Sequence, residues 1–231
     1  MRIKSPLLVK TTNKGDDFLR LPNHIGIIPD GNRRWASDKG LGKEKGYDEG
    51  LMPGLELLRL AKKEGIKEIT YYGFTTDNVK RPKIQVEAFT KACVDAVKLL
   101  EKEGASLYIV GNTESKSFPQ ELLKYTKYVE SDNIKVNFLV NYGWEWDLSN
   151  ISGNGRKNIN NEIKTKDISR VDLIIRWGGR RRLSGFLPIQ SVYADFYVID
   201  DLWPDFKKEH FYNALNWYDK QDVTLGGWIK T

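Results

Sequence analysis

Six short apolar runs, separated by segments with helical periodicity, constrain the fold of this chain more than any other feature. The runs are HIGIIPD, EITYYGF, SLYIVG, KVNFLVNY, VDLIIRW and ADFYVID. Strands that alternate with helices are typical of a parallel sheet with crossover connections. KVNFLVNY and VDLIIRW are almost continuously apolar, as strands buried on both faces are. We therefore predict an α/β fold with a central, mostly parallel sheet flanked by helices.

The segments between these runs predict the helices and the extent of the domain. A chain of 231 residues suits one α/β domain better than two small ones. We expect this domain to span residues 23–231, after an N-terminal arm of residues 1–22. Residues 149–166 are polar and rich in Gly and Asn, which predicts a mobile surface insertion. The predicted helices cover residues 46–64, 83–103, 119–131 and 210–218.

Charge and cysteine content limit the possible functions without selecting one. The net charge of +6 suits nucleic acid, an anionic membrane surface or a phosphorylated substrate. Cys93 is the single cysteine, so one chain can form neither an internal disulfide nor a metal site of several thiolates. Its apolar surroundings predict a packed thiol. The sequence contains no run of about 18 apolar residues and no signal-peptide pattern, and we expect a cytoplasmic protein.

Polar and cationic clusters occur at the ends of three predicted strands. DGNRRWA follows the first strand, TTDNVKRP follows the second, and RWGGRRRLS ends a later one. Ligands of open parallel sheets bind beyond the carboxyl ends of the strands. We therefore expect the three clusters to meet at one edge of the sheet.

The first cluster has the composition of a site for a diphosphate and a divalent metal. Gly31 allows a tight turn, and Asn32 can cap a helix whose first N–H groups favour an anion. Arg33 and Arg34 add charge-assisted donors. Asp30 would repel a bare phosphate, but it becomes useful if it holds Mg²⁺, which combines one or two carboxylates with substrate phosphates. A strand–turn–helix corner with solvated arginines is the alternative.

The other clusters each allow more than one interpretation. Four arginines beside Gly178, Gly179 and Ser184 suit a second phosphate, a nucleic-acid backbone or a solvated basic loop. The cluster after the second strand suits a ligand site or a polar turn with a helix cap. The arginines are Arg176, Arg180, Arg181 and Arg182, and the polar turn contains Thr75, Thr76, Asp77, Asn78 and Arg81.

Three further ionisable residues stand outside these clusters. Asp195 lies in an aromatic run and needs a partner, either an arginine of the later cluster or a metal. His24 and His210 have no suitably spaced ligand partner and are predicted to be structural.

Four motifs together resemble the cis-prenyltransferase family. They are HIGIIPDGNRRWA, YYGFTTDNVKRP, VNYGWEWD and DLIIRWGGRRRLSGFLPIQSVYADFYVIDDLWPDF, and their order and spacing follow the family over almost the whole chain. The resemblance implies a single domain with a hydrophobic tunnel between sheet and helices, usually a homodimer. It implies an Mg²⁺-dependent enzyme that condenses an allylic diphosphate with isopentenyl diphosphate.

The resemblance also implies roles for individual residues. Asp30 corresponds to the metal-binding aspartate, and Asn78 to the asparagine that assists allylic ionisation or proton removal. Asp195 replaces a glutamate that helps to complete the metal site across the dimer. The allylic diphosphate is implied to bind at Gly31, Asn32, Arg33 and Arg34, flanked by Trp35. The second diphosphate is implied to bind at Arg176, Arg182, Leu183 and Ser184, and further substrate contacts are implied for Lys43, Tyr47, Thr75, Thr76, Asp77 and Arg81.

Departures from the family pattern leave the second substrate open. Trp177 and Arg180 stand beside the implied second diphosphate site, and residues 224–226 read Thr-Leu-Gly where many members have Arg-x-Gly. The acceptor is therefore either isopentenyl diphosphate, or dimethylallyl diphosphate joined in an irregular, lavandulyl-like linkage. The helix predicted over residues 83–103 is shorter than in long-chain members, which predicts products of roughly 15 to 35 carbons because each unit needs apolar space.

Other functions also remain under consideration. They are a long-chain polyprenyl diphosphate synthase, a non-catalytic dimer subunit and a nucleic-acid-binding protein. The presence of Asp30 and Asn78 argues against the subunit, and we expect no nucleic-acid partner because no basic stripe is interleaved with aromatic residues. We expect a homodimer that contacts a membrane surface transiently when product is released.

Overall fold

Six parallel strands form the central sheet of the computed structural model, which describes residues 7–10, 18–129, 131–152 and 159–222. They are the six strands that the apolar runs predict, in the order β5-β6-β4-β3-β7-β8 across the sheet. Two further strands pair antiparallel in the predicted N-terminal arm. The strands are β1 (Leu7–Lys10), β2 (Phe18–Leu21), β3 (His24–Ile28), β4 (Glu68–Tyr72), β5 (Ser106–Val110), β6 (Lys135–Leu139), β7 (Leu173–Arg176) and β8 (Asp195–Val198).

Helices connect the strands and cover the sheet. None of the helices in the described part of the chain is both long and apolar enough to span a membrane. The α-helices are α1 (Asn32–Asp38), α2 (Gly46–Glu49), α3 (Leu51–Lys63), α4 (Lys83–Lys102), α5 (Trp144–Leu148), α6 (Ile159–Glu162) and α7 (Lys208–Asp219). Short 3-10 helices occupy Lys43–Lys45, Thr76–Lys80, Gln120–Tyr125 and Trp203–Asp205.

The continuous helix predicted over residues 46–64 is interrupted at Gly50, which separates α2 from α3. The carbonyl of Gly50 accepts a hydrogen bond from Trp203 Nε1 at 2.8 Å. A Cβ atom at this position would lie 2.7 Å from Asn32 Oδ1 and 2.9 Å from Trp203 Cδ1. Pro53 has no N–H to donate to the carbonyl of Glu49, so a continuous helix would lack a hydrogen bond at this point. Trp203 fills the space beside Gly50.

The helix predicted over residues 119–131 is also wrong. The structure has a 3-10 helix at Gln120–Tyr125 instead. Leu122 is buried but Leu123 is exposed, so the segment has no apolar face long enough to stabilise a regular helix by packing.

The sheet is covered on both faces. The larger core joins α3, α4 and α7 to alternate residues of the strands, among them Ile27 and Ile175. The smaller core lies on the other face and contains Ile28, Ile174 and Phe186. Cys93 is buried in the larger core, as predicted, and burial raises the pKa of its thiol to about 12.

The surface insertion predicted over residues 149–166 is anchored at its end. Residues 153–158 lie outside the described residues. The backbone N–H and the hydroxyl of Thr165 donate to the buried carboxylate of Asp147, which also accepts a hydrogen bond from Tyr142. Thr165 is fully buried and Ile163 is 3% exposed, so this end of the segment belongs to the core rather than to a mobile surface loop.

His24 and His210 have structural contacts, as predicted. His24 is fully buried, and its Nε2 lies 2.8 Å from Thr70 Oγ1. Nδ1 of His210 accepts from Trp177 Nε1 at 3.3 Å, and its Nε2 lies 2.9 Å from the Asp201 carboxylate. His210 thereby ties α7 to the loops that follow β7 and β8.

Candidate active site

The three polar clusters meet at the carboxyl edge of the sheet, where they surround a cavity of about 630 Å³. Convergence of the clusters at one edge is confirmed. β3 lies between β4 and β7, so the segments that follow these strands become neighbours. The predicted site residues that line the cavity are Asp30, Gly31, Asn32, Arg33, Arg34, Lys43, Tyr47, Thr75, Asp77, Asn78, Arg81, Arg176, Arg182 and Ser184.

Asp30 lies on the cavity wall between two arginines. Its Oδ2 is 2.8 Å from Arg176 Nη2, and its Oδ1 is 3.5 Å from Arg34 Nη2. The Asp30 side chain is one-third exposed, whereas the Arg176 side chain is 4% exposed. The Asp30 carboxylate therefore remains accessible to a ligand, while the buried guanidinium of Arg176 balances its negative charge.

Two glycines with positive φ allow the backbone to turn closely around Asp30. Gly31 has φ 115°, and a Cβ atom there would lie 2.8 Å from Leu202 Cδ2. Gly178 has φ 84°, and its carbonyl accepts from Arg34 Nη2 at 2.9 Å. Residues with a side chain rarely adopt this conformation, so both positions favour glycine.

Tyr47 and Phe89 form an aromatic wall of the cavity. Their rings stack with centroids 4.5 Å apart and planes 2° apart, and Phe74 packs edge-on against Phe89. The Tyr47 hydroxyl accepts from Arg81 Nη1 at 3.0 Å. Burial raises the pKa of Tyr47, opposed by the charges of Arg81 and Arg33, and burial lowers the pKa of Arg81. At one end of this wall, the neutral phenol of Tyr47 therefore contacts the cationic guanidinium of Arg81.

The side chain of Asn78 is held by its own turn. Asn78 Oδ1 accepts from the backbone N–H of Thr75 at 3.1 Å, and Asn78 N donates to the Thr75 carbonyl. The Nδ2 group has no hydrogen-bond partner among the described residues. With its oxygen engaged, the amide offers a ligand N–H donors rather than an acceptor.

Arg176 links the first cluster to the later one. Besides its bond to Asp30, its Nη1 donates to the carbonyl of Arg182 and, at 3.1 Å, to Ser184 Oγ. Arg182 is exposed on the cavity rim. Ser184 lines the cavity and has the left-handed φ of 53°. The guanidinium of Arg176 thus donates mainly to groups of the protein itself. Arg182 is the cation that a ligand can reach more easily.

The structure does not bring four predicted site residues to the cavity wall. Trp35 Nε1 donates to Asp205 Oδ1 at 2.8 Å, and Thr76 packs against Gly143. Leu183 is 36% exposed but lies outside the cavity lining. The fourth is Asp195.

The proposed arginine partner of Asp195 in the later cluster is wrong within one chain. Asp195 begins β8 and pairs in register with Leu173, at the amino edge of the sheet. Asp30 follows the carboxyl end of β3, at the opposite edge. Burial raises the pKa of Asp195, with Arg20 and Asp172 as its charged neighbours. A single protomer therefore cannot place Asp195 beside Asp30 on one metal, and its role across a dimer stays a prediction.

Trp177 does not stand beside the second diphosphate position. It is fully buried in the larger core, where its ring packs edge-on against Trp203 with centroids 4.7 Å apart. Successive strand residues point to opposite faces, so Trp177 leaves the cavity side to Arg176. Arg180 does line the cavity. The departure predicted at residues 224–226 lies outside the described residues.

The expected hydrophobic tunnel is nearly closed. Between α3, α4 and the sheet, an apolar void of about 50 Å³ is lined by residues that include Leu55, Tyr71, Leu99 and Trp203. A cavity of about 150 Å³ holds one benzene molecule. The void therefore has no room for an isoprene unit unless the helices or side chains move.

The cavity suits a single Mg²⁺ bound together with phosphate oxygens. No group of three or more acidic, His or Cys ligands occurs in the described part of the chain. Asp30 offers one accessible carboxylate beside cations that attract phosphate. Mg²⁺ is commonly held by one or two carboxylates plus substrate phosphates and water, so this donor set fits.

Sequence reasoning missed several lining residues. Tyr72 ends β4 and Gly73 follows it, and Ser37 and Asp38 end α1. The position of Tyr72 at a strand end was a usable signal. Its hydroxyl donates to the carbonyl of Ser184 at 2.7 Å, a contact between segments far apart in sequence.

Comparisons with known proteins identify the family of this chain. Residues 28–226 match the family model Prenyltransf, "Putative undecaprenyl diphosphate synthase". An isoprenyl transferase of Thermotoga maritima is 34% identical, over 91% of this chain and 99% of that protein. A ditrans,polycis-undecaprenyl-diphosphate synthase of Yersinia pseudotuberculosis, specific for (2E,6E)-farnesyl diphosphate, is 33% identical, over 90% of this chain and 91% of that protein.

A solved structure shares the fold. Lavandulyl diphosphate synthase from Lavandula x intermedia, in complex with dimethylallyl diphosphate, superimposes with a TM-score of 0.78 at 23% identity, over 90% of this chain and 99% of that one. The family match spans most of the chain, and the relatives are matched over nearly their whole length. The chain belongs to the cis-prenyltransferase family, the family of undecaprenyl diphosphate synthase.

Proposed function

We propose that this protein transfers the prenyl group of an allylic diphosphate to a five-carbon diphosphate in the presence of Mg²⁺, and that its product is short to medium in length. The observation that carries the proposal is the accessible carboxylate of Asp30 in a cavity whose charged lining residues are mostly cations. The cationic residues are Arg33, Arg34, Lys43, Arg81, Arg176, Arg180 and Arg182, against the carboxylates Asp30, Asp38 and Asp77.

This surplus of positive charge suits two diphosphates. Each diphosphate carries several negative charges, and one carboxylate-bound Mg²⁺ would not neutralise both. Two of these cations, Arg33 and Arg34, lie on α1, and two others, Arg180 and Arg182, lie on the loop after β7. Arg33 and Arg34 are placed for the allylic diphosphate, and Arg180 and Arg182 for the acceptor diphosphate.

The chain's own residues can stabilise the charge that develops during transfer. Negative charge grows on the diphosphate as its C–O bond breaks, and fixed donors lower the energy of that state. Arg34 and the free amide N–H groups of Asn78 are such donors. Mg²⁺, when bound at Asp30, would supply further neutralisation of the leaving diphosphate.

The allylic fragment becomes cation-like as the bond breaks. The stacked rings of Tyr47 and Phe89 form an apolar wall of the same cavity. Aromatic faces attract cations, so this wall can stabilise the fragment without capturing it. The acceptor double bond then attacks, and a proton is lost to a nearby base such as the diphosphate.

The proposal leaves two acceptors for experiment to separate. Isopentenyl diphosphate gives a regular cis head-to-tail product, and dimethylallyl diphosphate gives an irregular, lavandulyl-like one. Arg180 supports an altered acceptor site because it lines the cavity, whereas Trp177 does not support it because it is buried elsewhere. The nearly closed void beside α3 and α4 supports a short product with either acceptor.

Product analysis tests the proposal. The purified protein is incubated with Mg²⁺ and pairs of allylic and five-carbon diphosphates, with EDTA as the control, and dephosphorylated products are identified by mass spectrometry. We expect Mg²⁺-dependent alcohols one or a few five-carbon units longer than the allylic substrate. A predominant alcohol of the undecaprenyl size would support the long-chain alternative, and absence of any product would support the non-catalytic dimer subunit.

A further inference from the structure

We propose that Tyr72 is a positioning residue, which holds the Arg182–Gly185 loop in the conformation that binds the acceptor diphosphate. This inference rests on the proposed function, since it assigns that diphosphate to the loop. Tyr72 ends β4, and its hydroxyl donates to the Ser184 carbonyl at 2.7 Å. Both residues line the cavity.

The loop adopts a conformation that needs support. Ser184 has φ 53° and Gly185 has φ 81°. The left-handed region is unfavourable for a residue with a side chain, and such conformations persist when their surroundings enforce them. Arg176 donates to the carbonyl of Arg182 and to Ser184 Oγ, which fixes one side of the loop. Tyr72 fixes the Ser184 carbonyl on the other side.

The hydrogen bond from Tyr72 also determines where a backbone donor points. The carbonyl of Ser184 and the N–H of Gly185 belong to one trans peptide and point in opposite directions. With the carbonyl turned to Tyr72, the Gly185 N–H is directed away from it. That N–H has no acceptor among the described residues. A flip of this peptide would turn the carbonyl away from Tyr72 and change ψ of Ser184, a residue that lines the cavity.

The tyrosine itself is held rigidly. Its ring packs edge-on against Phe186 and Tyr142, with centroids 5.4 and 6.2 Å away. Gly185 lies close to it, since a Cβ atom there would be 3.5 Å from the Tyr72 hydroxyl and 2.8 Å from Trp144 Cδ1. Burial raises the pKa of Tyr72 far above its ordinary value, so the phenol stays protonated and remains a donor.

Tyr212 provides a matched control. It lies in α7, outside the lining of both the cavity and the void, and its hydroxyl donates to Glu64 Oε1 at 3.0 Å. Its ring packs against the larger core. Tyr212→Phe removes the same chemical group without touching the loop.

Kinetics with each substrate varied separately test the role of Tyr72. In Tyr72→Phe we expect the KM for the acceptor diphosphate to rise about three- to tenfold, as for loss of one hydrogen bond. The KM for the allylic diphosphate should change less than twofold, and kcat should fall less than the acceptor KM rises. Tyr212→Phe should leave both KM values near those of the wild type.

A titration separates this inference from the proposed function. Calorimetric titration with inorganic diphosphate measures binding even if the wild type proves to transfer no prenyl group. Tyr72→Phe should bind inorganic diphosphate more weakly than Tyr212→Phe and wild type do. Thermal melting checks that all three proteins are folded, and the titration is run well below the lowest midpoint. Equal binding by all three proteins, or equal weakening in both variants, would overturn the positioning role.

Discussion

Arg176 Nη2 lies 2.8 Å from Asp30 Oδ2, although 146 residues separate the two along the chain. The register of β3 with β7, in which Ile28 pairs with Arg176, brings them together. The same guanidinium donates to Arg182 and Ser184. One buried cation therefore joins the carboxylate assigned to the allylic diphosphate and metal to the loop assigned to the acceptor.

Asp30→Asn should reduce kcat at least about a hundredfold, because stabilisation of developing charge at a metal site is worth several kcal/mol. The amide keeps the shape of the side chain, so the fold should remain. The steady-state rate in Mg²⁺ and the thermal midpoint measure the two effects. Asp38→Asn, at the end of α1 on the same cavity, is the control and should have a much smaller effect. Activity of the Asp30 variant within a few-fold of wild type would remove this residue from the metal site.

Arg176→Ala and Arg182→Ala should differ in their effects on the two substrates. Arg182→Ala removes an exposed cation and should raise the acceptor KM about tenfold, as for a charge-assisted hydrogen bond. Arg176→Ala should impair both substrates, because Arg176 contacts Asp30 as well as the loop. It should also lower the free energy of unfolding by about 1.5–3 kcal/mol. Urea denaturation and KM for each substrate test this difference, and selective loss of acceptor binding in Arg176→Ala would contradict the linking role.

Phe89→Ala should lengthen the product. The substitution removes half of the stacked Tyr47–Phe89 wall and so enlarges the cavity that both residues line. Each added five-carbon unit then gains roughly 0.8 kcal/mol per buried methylene-sized group. Ile84→Ala, at the exposed start of α4, is the control and should leave the product unchanged. Chromatography of dephosphorylated products decides the matter, and an unchanged length in Phe89→Ala would show that another barrier sets the limit.

Stability should depend on pH through Glu68. Burial alone would raise its pKa, but His24, Lys135 and hydrogen bonds from Ser169 and Asn137 outweigh burial and lower the pKa from 4.5 to about 2. A lowered folded-state pKa stabilises the fold above about pH 4.5, and this contribution, on the order of 3 kcal/mol, is lost as the pH falls toward 2.

Glu68→Gln tests this dependence by urea denaturation between about pH 5 and pH 3. The free energy of unfolding should fall less steeply with acid in the variant than in wild type. Glu56→Gln is the control, because Glu56 pairs with Lys208 at the surface with a side chain that is 40% exposed. If the free energy of unfolding fell equally steeply with acid in Glu68→Gln and wild type, the pKa of Glu68 would be the same in the folded and unfolded states.

The strands and the three clusters were predictable because their signals are local. An apolar run that ends in Gly, Asp or Asn identifies both a buried strand and its polar end, and a parallel sheet collects such ends at one edge. Asp30, Asn78 and Arg182 were placed at the site on this basis, and all three line the cavity.

Contacts between distant segments were not predictable, because their signals do not lie near each other in the chain. Trp203, 153 residues away, donates to the carbonyl of Gly50 and fills the space beside it. Strand register brings Arg176 to Asp30 and places Asp195 at the opposite edge of the sheet. Residue types and local periodicity decide which segments become strands and which ends are polar, whereas packing across the sheet decides which side chains share a cavity.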